Sequence, residues 1–72
     1  MDWIDEGILL NVTPHGERSA ILQVFTANKG RHVGIIKNAY SPRMTSILQP
    51  SSQLELNWSS RLEDHLGNYK VD

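Results

Sequence analysis

Apolar and polar residues alternate with a period of two along most of the chain, the pattern of strands with one packed face and one wet face. In Gly7-Ile8-Leu9-Leu10-Asn11-Val12-Thr13, the residues Ile8, Leu10 and Val12 fall on one side, with Asn11 and Thr13 on the other. Pro14-His15-Gly16 interrupts the run and reads as a turn. The alternation resumes in Ser19 to Thr26, where Ala20, Leu22 and Val24 oppose Ile21, Gln23 and Phe25. Both faces are then partly apolar, as expected of a strand in a small barrel. Asn28-Lys29-Gly30 predicts the next turn, with Gly30 free to take a positive φ. Arg31 to Lys37 predicts a third strand with Val33, Ile35 and Lys37 on one side. Gly34 in its middle predicts a bulge or a tight barrel corner.

The fourth segment changes period. Ser41-Pro42 reads as a helix N-cap and first helical position, and Met44, Ile47 and Leu48 follow at helical spacing before Pro50 closes the run. One or two helical turns plugging a barrel end, or an ordered loop, both fit. Gln53-Leu54-Glu55-Leu56-Asn57-Trp58 is the cleanest alternation, with Leu54, Leu56 and Trp58 inward. Ser59 to His65 is polar and loop-like, and Leu66 to Val71 reads as a weaker fifth strand. An all-β chain of five short strands, with a possible helix between the third and fourth, has the element order of a five-stranded OB-fold barrel. Closure hides the strand edges that an open sheet would expose. No internal repeat, low-complexity tract or linker interrupts the pattern.

Composition narrows the possibilities. At 72 residues the chain holds one small domain. Such a domain buries only about 60% of its unfolded surface, which leaves a thin stability margin. It has no cysteine, hence no disulfide staple and no thiolate zinc site. No apolar run approaches the roughly 18 residues of a membrane span. The first six residues are acidic where a signal peptide carries positive charge. The net charge of −1 conceals a separation. Residues 1–17 carry Asp2, Asp5, Glu6 and Glu17 and no base, whereas residues 18–54 carry Arg18, Lys29, Arg31, Lys37 and Arg43 and no acid. Residues 55–72 are mixed. Two arrangements follow: an electropositive face suited to a polyanion, or a fold that returns the acids beside the bases.

Several short motifs stand in a recognisable order. W-I-D-E-G-I-L-L at 3–10, H-G-E at 15–17, V-F-T at 24–26, G-R at 30–31 and L-Q-P at 48–50 together resemble the N-terminal domain of the bacterial recombination-repair protein RecO. R-L-E-D-H-L-G at 61–67 resembles alphaproteobacterial members. The resemblance covers essentially the whole chain. It implies that residues 1–72 form an OB-fold nucleic-acid-binding domain. In the family that domain precedes a larger helical domain, with a zinc-binding segment in many members, so the chain reads as a fragment. The resemblance also implies single- and double-stranded DNA as ligands, and strand annealing as an activity. The single-strand-binding protein, RecR and RecA are its implied partners, with RecA loading the outcome, in the bacterial cytoplasm at the nucleoid. The family's basic stretch Lys-Gly-Ala-Arg-Ser reads here Lys37-Asn38-Ala39-Tyr40-Ser41, so Asn38 replaces Gly and Tyr40 replaces Arg. Asn38 tolerates positive φ better than most residues. Arg43 offers a nearby charge in place of the missing arginine.

DNA binding without sequence readout needs Lys or Arg on one exposed face and an aromatic beside them. Arg31, Lys37, Tyr40 and Arg43 supply that mixture, with Arg18 after the first turn and Arg61 before the last strand. The candidate DNA-binding residues are therefore Arg18, Arg31, Lys37, Tyr40 and Arg43, with Tyr40 stacking on bases. Lys29, at a turn tip, reads as a solubilising charge. Trp58, in phase with Leu54 and Leu56, reads as core, and Trp3 as a barrel-end plug. Ile21, Phe25 and Ile36 are out of phase with the core and suggest the rival reading, a barrel that docks RecR or another repair partner. Catalysis finds little footing. His15 and Glu17 flank a turn, and Glu63-Asp64-His65 offers ligand-type side chains that, being consecutive, do not converge on one metal. There is no nucleophile elbow, phosphate-binding glycine loop or H-E-x-x-H. No enzyme activity, metal or cofactor is expected.

Overall fold

A computed structural model of the chain describes residues 2–61 and 66–71. Five strands and one helix follow in the order β1 (Asp2–His15), β2 (Ser19–Thr26), β3 (Gly30–Ile36), α1 (Pro42–Ile47), β4 (Gln53–Ser59) and β5 (Asn68–Val71). The strands close into a barrel in the order β1-β2-β3-β5-β4. All neighbours are antiparallel except β3 and β5, which run parallel.

β1 is long because it serves both sides of the barrel. Its first half pairs with β4, Asp2 to Ile8 against Ser59 to Gln53, and its second half pairs with β2 out to His15 and Ser19. Pro14 and His15 therefore belong to the strand, and the turn falls at Gly16 to Arg18. The register slips between Leu9 and Asn11, a β-bulge at the point where the strand passes from one partner to the other. That extra residue corrects the sequence reading of β1. Before the bulge Asp5, Gly7 and Leu9 point inward while Ile4, Ile8 and Leu10 are exposed; after it Val12 is half-buried against the core. An unbulged strand would have kept Ile8, Leu10 and Val12 on one face.

The remaining strands keep their phase. Ala20, Leu22, Val24 and Thr26 of β2, Leu54, Leu56 and Trp58 of β4, and Tyr69 and Val71 of β5 are buried. On β3 the inward residues are Gly34 and Ile36, so Val33 and Ile35 face outward and half-buried. Ile36, 3% exposed, is core rather than a spare apolar contact. Gly34 marks no bulge, because the β2–β3 register runs unbroken through Leu22 and Gly34. Its missing side chain makes room for the Tyr69 ring: a Cβ there would lie 2.7 Å from Tyr69 Cε2.

Residues 42–47 are helical, which decides between helix and loop. Ser41 Oγ accepts the Met44 N–H at 3.3 Å and Pro42 starts the helix, as the cap residues require. Met44 is buried, and Ile47 and Leu48 pack beside it against the core. The β2–β3 turn is pinned from two sides. Thr26 Oγ1 donates to Gly30 O at 2.8 Å and accepts from Lys29 N at 2.9 Å. Asp5 reaches across from β1, with Oδ2 accepting from Asn28 N at 2.7 Å and Oδ1 from Asn28 Nδ2 at 3.0 Å. The hydrogen bond from the Asn28 amide, chiefly, holds the Asp5 carboxyl below its ordinary value of 3.8.

Candidate nucleic-acid interface

The seam between β3 and β5 is short. Register pairs join Ile35 with Asn68 and Ile36 with Tyr69, and Ile35 N donates to Gly67 O at 3.0 Å. Past Ile36 the two chains part: β5 continues to Val71 while residues 37–41 turn away towards α1. The parting leaves a cleft of about 1000 Å³. Ile36, Met44, Tyr69 and Val71, all nearly buried, form its apolar floor. Arg18, Lys37, Arg43 and Lys70 stand around it with Tyr40, Asn38 and Ser59.

Local geometry explains why these cations meet. Lys37 lies one residue beyond β3 and is exposed. Asn38 then takes φ +56°, a left-handed conformation that Asn tolerates better than most residues. Ala39, 2% exposed, is drawn into the core and its N–H donates to Arg18 O at 2.8 Å. That bond ties the turn at 37–40 to the β1–β2 turn and brings Arg18, nineteen positions before Lys37 in sequence, to the same rim. Tyr40 is 46% exposed, and Arg43 lies in the first turn of α1. No carboxylate lines the cleft among the described residues.

Of the candidates read from sequence, Arg18, Lys37, Tyr40 and Arg43 converge here and Arg31 does not. Arg31 shares the outward face of β3 with Lys37, as its spacing requires, but six residues at about 3.3 Å each put it about 20 Å away. It pairs across the sheet with Phe25, and its Nη2 donates to Gln23 Oε1 at 3.3 Å. Arg61 is exposed and does not line the cleft. Lys70 was missed. The signal was available, since Lys70 alternates with the inward Tyr69 and Val71, but the weak fifth strand left its partner unspecified.

Behind the floor sits an aromatic group. Trp3 stacks on Trp58 with ring centroids 5.5 Å apart, and His32 meets both rings edge to face, at 5.0 and 5.2 Å. A 2.6 Å hydrogen bond joins His32 Nδ1 and Tyr69 Oη. Burial pushes the His32 pKa down, with Lys29 adding to it, and pushes the Tyr69 hydroxyl up. Neutral His32 therefore holds a protonated Tyr69 in place beneath the cleft. Trp58 Nε1 donates to Leu66 O at 3.0 Å. Trp58 is core as its phase predicts, and Trp3, half-buried, closes the barrel beside it. Among the described residues no group of three or more His, Cys, Asp and Glu could hold a metal ion; Glu63-Asp64-His65 lies outside them. None of the helices among those residues is long and apolar enough to cross a membrane.

A closed barrel of five strands with one helix between β3 and β4 is an OB-fold, here with a cation-rimmed cleft where the barrel seam opens. The family model described as Recombination protein O N terminal matches residues 1–71. The chain belongs to this family. It is 54% identical over its full length to the DNA repair protein RecO of Ruegeria sp., and 49% to that of Cereibacter sphaeroides. To the DNA repair protein RecO of Dinoroseobacter shibae it is 46% identical, again over its full length. The chain spans about 30% of the length of each of these relatives.

Proposed function

We propose that this chain is a DNA-binding barrel of a recombinational repair protein and that it acts without catalysis. One observation carries the reading: Arg18, Lys37, Arg43 and Lys70, drawn from four parts of the chain, rim one cleft beside Tyr40. Four cations around a concave surface attract phosphates and release their counterions, which gives affinity without sequence readout. Tyr40 at the rim offers a ring for an unstacked base. Such a surface favours the pairing of complementary strands, because it lowers their repulsion and reads neither. The names of the relatives support a repair setting. By likeness to RecO the setting is the cytoplasm, at the nucleoid, where the longer protein anneals strands and helps load RecA with RecR and the single-strand-binding protein.

The test is a salt titration with a short single strand. Neutralising about four phosphates gives log K against log[salt] a slope near −3. Replacing Lys37 and Arg43 together by Ala shallows that slope by about 1.4 and weakens binding equally across sequences. A loss confined to particular sequences, or no loss, removes the reading. A second reading, a barrel that docks a protein such as RecR, draws on Ile4, Ile8 and Leu10, which are 65%, 48% and 42% exposed on β1. Binding to RecR that ignores salt and fails when these three become Ser would favour it.

A further inference from the structure

An acidic patch adjoins the basic cleft on the outside of the barrel. Along the outer side of β1, Ile4, Ile8 and Leu10 stay 65%, 48% and 42% exposed, with Glu6 exposed among them. The register partner of Glu6 on β4 is Glu55, also exposed. Like charges directly opposite on neighbouring strands repel. Gln53 Nε2 donates to Glu6 Oε2 at 3.2 Å, and among the described residues no cation bonds either carboxylate. Asp2, exposed on the same side of β1, extends the acidic patch. The next row of the sheet runs from Ile4 to Asn57 to Lys70. Two strand spacings of about 4.8 Å put Lys70, on the lip of the cleft, about 10 Å from Ile4. Each patch has what the other lacks. The first offers carboxylates and protruding apolar side chains. The second offers four cations around a concave apolar floor, with no carboxylate lining it among the described residues. One barrel cannot join them, because both face outward side by side on a closed sheet. A second copy turned about a two-fold axis near Asn57 joins them twice over. A partner that is only basic or only acidic would satisfy half of the surface.

We propose that two copies of this chain associate about a two-fold axis, the Ile4, Glu6 and Glu55 patch of each seated on the cleft rimmed by Arg18, Lys37, Arg43 and Lys70 in the other. Such a contact is self-complementary, so it closes at two copies instead of growing into a filament. Ile4, the most exposed apolar side chain of the patch, enters the apolar cleft of the other copy. The repulsion between Glu6 and Glu55 in the free barrel becomes attraction once cations of the other copy lie against them. Pairing also hides the cleft, so the dimer is a closed form that nucleic acid must open. The pairing stands independently of the DNA-binding reading; only that competition rests on it.

The experiment is sedimentation velocity of the chain from about 1 μM to about 1 mM. It is run at about 0.1 M and about 1 M sodium chloride, where charges reach about 10 Å and about 3 Å. The weight-average mass should rise with concentration towards twice that of one chain, and the dissociation constant should weaken about tenfold or more at the higher salt. Reversing the acidic patch (Glu6→Lys with Glu55→Lys) or the cleft (Lys37→Glu with Arg43→Glu) should each weaken pairing by at least about tenfold. Mixing the two variants should restore it as a heterodimer, because each reversed patch then meets a reversed cleft or a native patch a native cleft. That recovery also verifies that both variants fold. As a control, Lys29→Glu with Arg31→Glu changes the net charge equally but leaves the cleft intact, and should not pair with the Glu6→Lys, Glu55→Lys variant. A chain that stays monomeric at every concentration overturns the proposal and leaves the DNA-binding reading standing. Pairing indifferent to both reversals, a mixture that fails to recover, a control that recovers equally, or assemblies larger than two also overturn it. An oligothymidylate of about ten nucleotides should dissociate the dimer. If the dimer behaves as expected and resists the oligonucleotide, the cleft is not the DNA site and the pairing stands.

Discussion

Replacing Gly34 by Ala probes how tightly the floor of the cleft is built. The added Cβ would meet Tyr69 at 2.7 Å from Cε2, 3.0 Å from Cζ and 3.1 Å from Cδ2. The ring has little room to retreat, being 3% exposed and bonded through its hydroxyl to His32 at 2.6 Å. Overpacking of this kind costs about 1–3 kcal/mol. The loss of glycine's freedom in the unfolded chain returns about 0.4–1 kcal/mol, because nothing in the backbone at Gly34 demands a positive φ. A net loss of about 1–2 kcal/mol should lower Tm by about 4–16 °C for a domain of this size. Thermal melts followed by far-ultraviolet circular dichroism measure it, with sulfate in the buffer to keep the weaker variants folded. The diagnostic arm repeats Gly34→Ala on a Tyr69→Leu background. Without the ring the clash is gone, and the substitution should become neutral or gain about 0.4–1 kcal/mol. On a Tyr69→Phe background the ring remains and the cost should persist. An undiminished loss on the Tyr69→Leu background would refute the close-approach argument and return Gly34 to the role of a backbone irregularity.

Two further substitutions follow from the geometry, and a third probes the turn before α1. Asp5, whose folded pKa lies below 3.8, contributes stability that is complete above that value and is lost as pH falls through the folded pKa. Asp5→Asn should therefore melt lower than the parent at neutral pH and show a flatter decline between about pH 4 and pH 2; parallel curves would remove Asn28 as the cause. Ser41→Ala deletes the cap that accepts from Met44 N and should cost about 1 kcal/mol, read by urea unfolding. At residue 38, with φ +56°, Gly should be tolerated whereas Val should cost about 1–2 kcal/mol by the same assay.

The barrel was largely legible because its strands bury one face and expose the other. Leu54, Leu56 and Trp58 alternate without interruption and are buried without exception. The Ser41-Pro42 start of α1 was equally plain, since a cap is written in adjacent residues. β1 misled because a bulge inserts one residue without a sequence mark of its own, and inverts the phase of everything before it relative to everything after. Ile8 and Leu10 then look like core and are exposed, while Asp5 looks like surface and is an anchor. Gly34 was singled out as constrained, but the bulge offered as one reason is absent, and the close approach of a ring thirty-five positions away was not legible. The site shows the same divide. Lys37, Tyr40 and Arg43 are neighbours in sequence and stay neighbours in space. Arg18 and Lys70 arrive through a single backbone hydrogen bond and through the parallel pairing of β5, neither of which periodicity encodes.

That parallel pairing has a consequence for how the barrel breathes. With β3 and β5 joined over Ile35–Asn68 and Ile36–Tyr69, the ring of strands has one zipper much shorter than the others. Local opening in small domains follows the fewest protecting bonds, so the amides of β5 should exchange before those of β1, β2 or β4. Lys37 and Lys70 stand on opposite lips of that zipper. An anion bridging them acts as a clasp, and whatever holds the lips together also slows the unzipping of the fold.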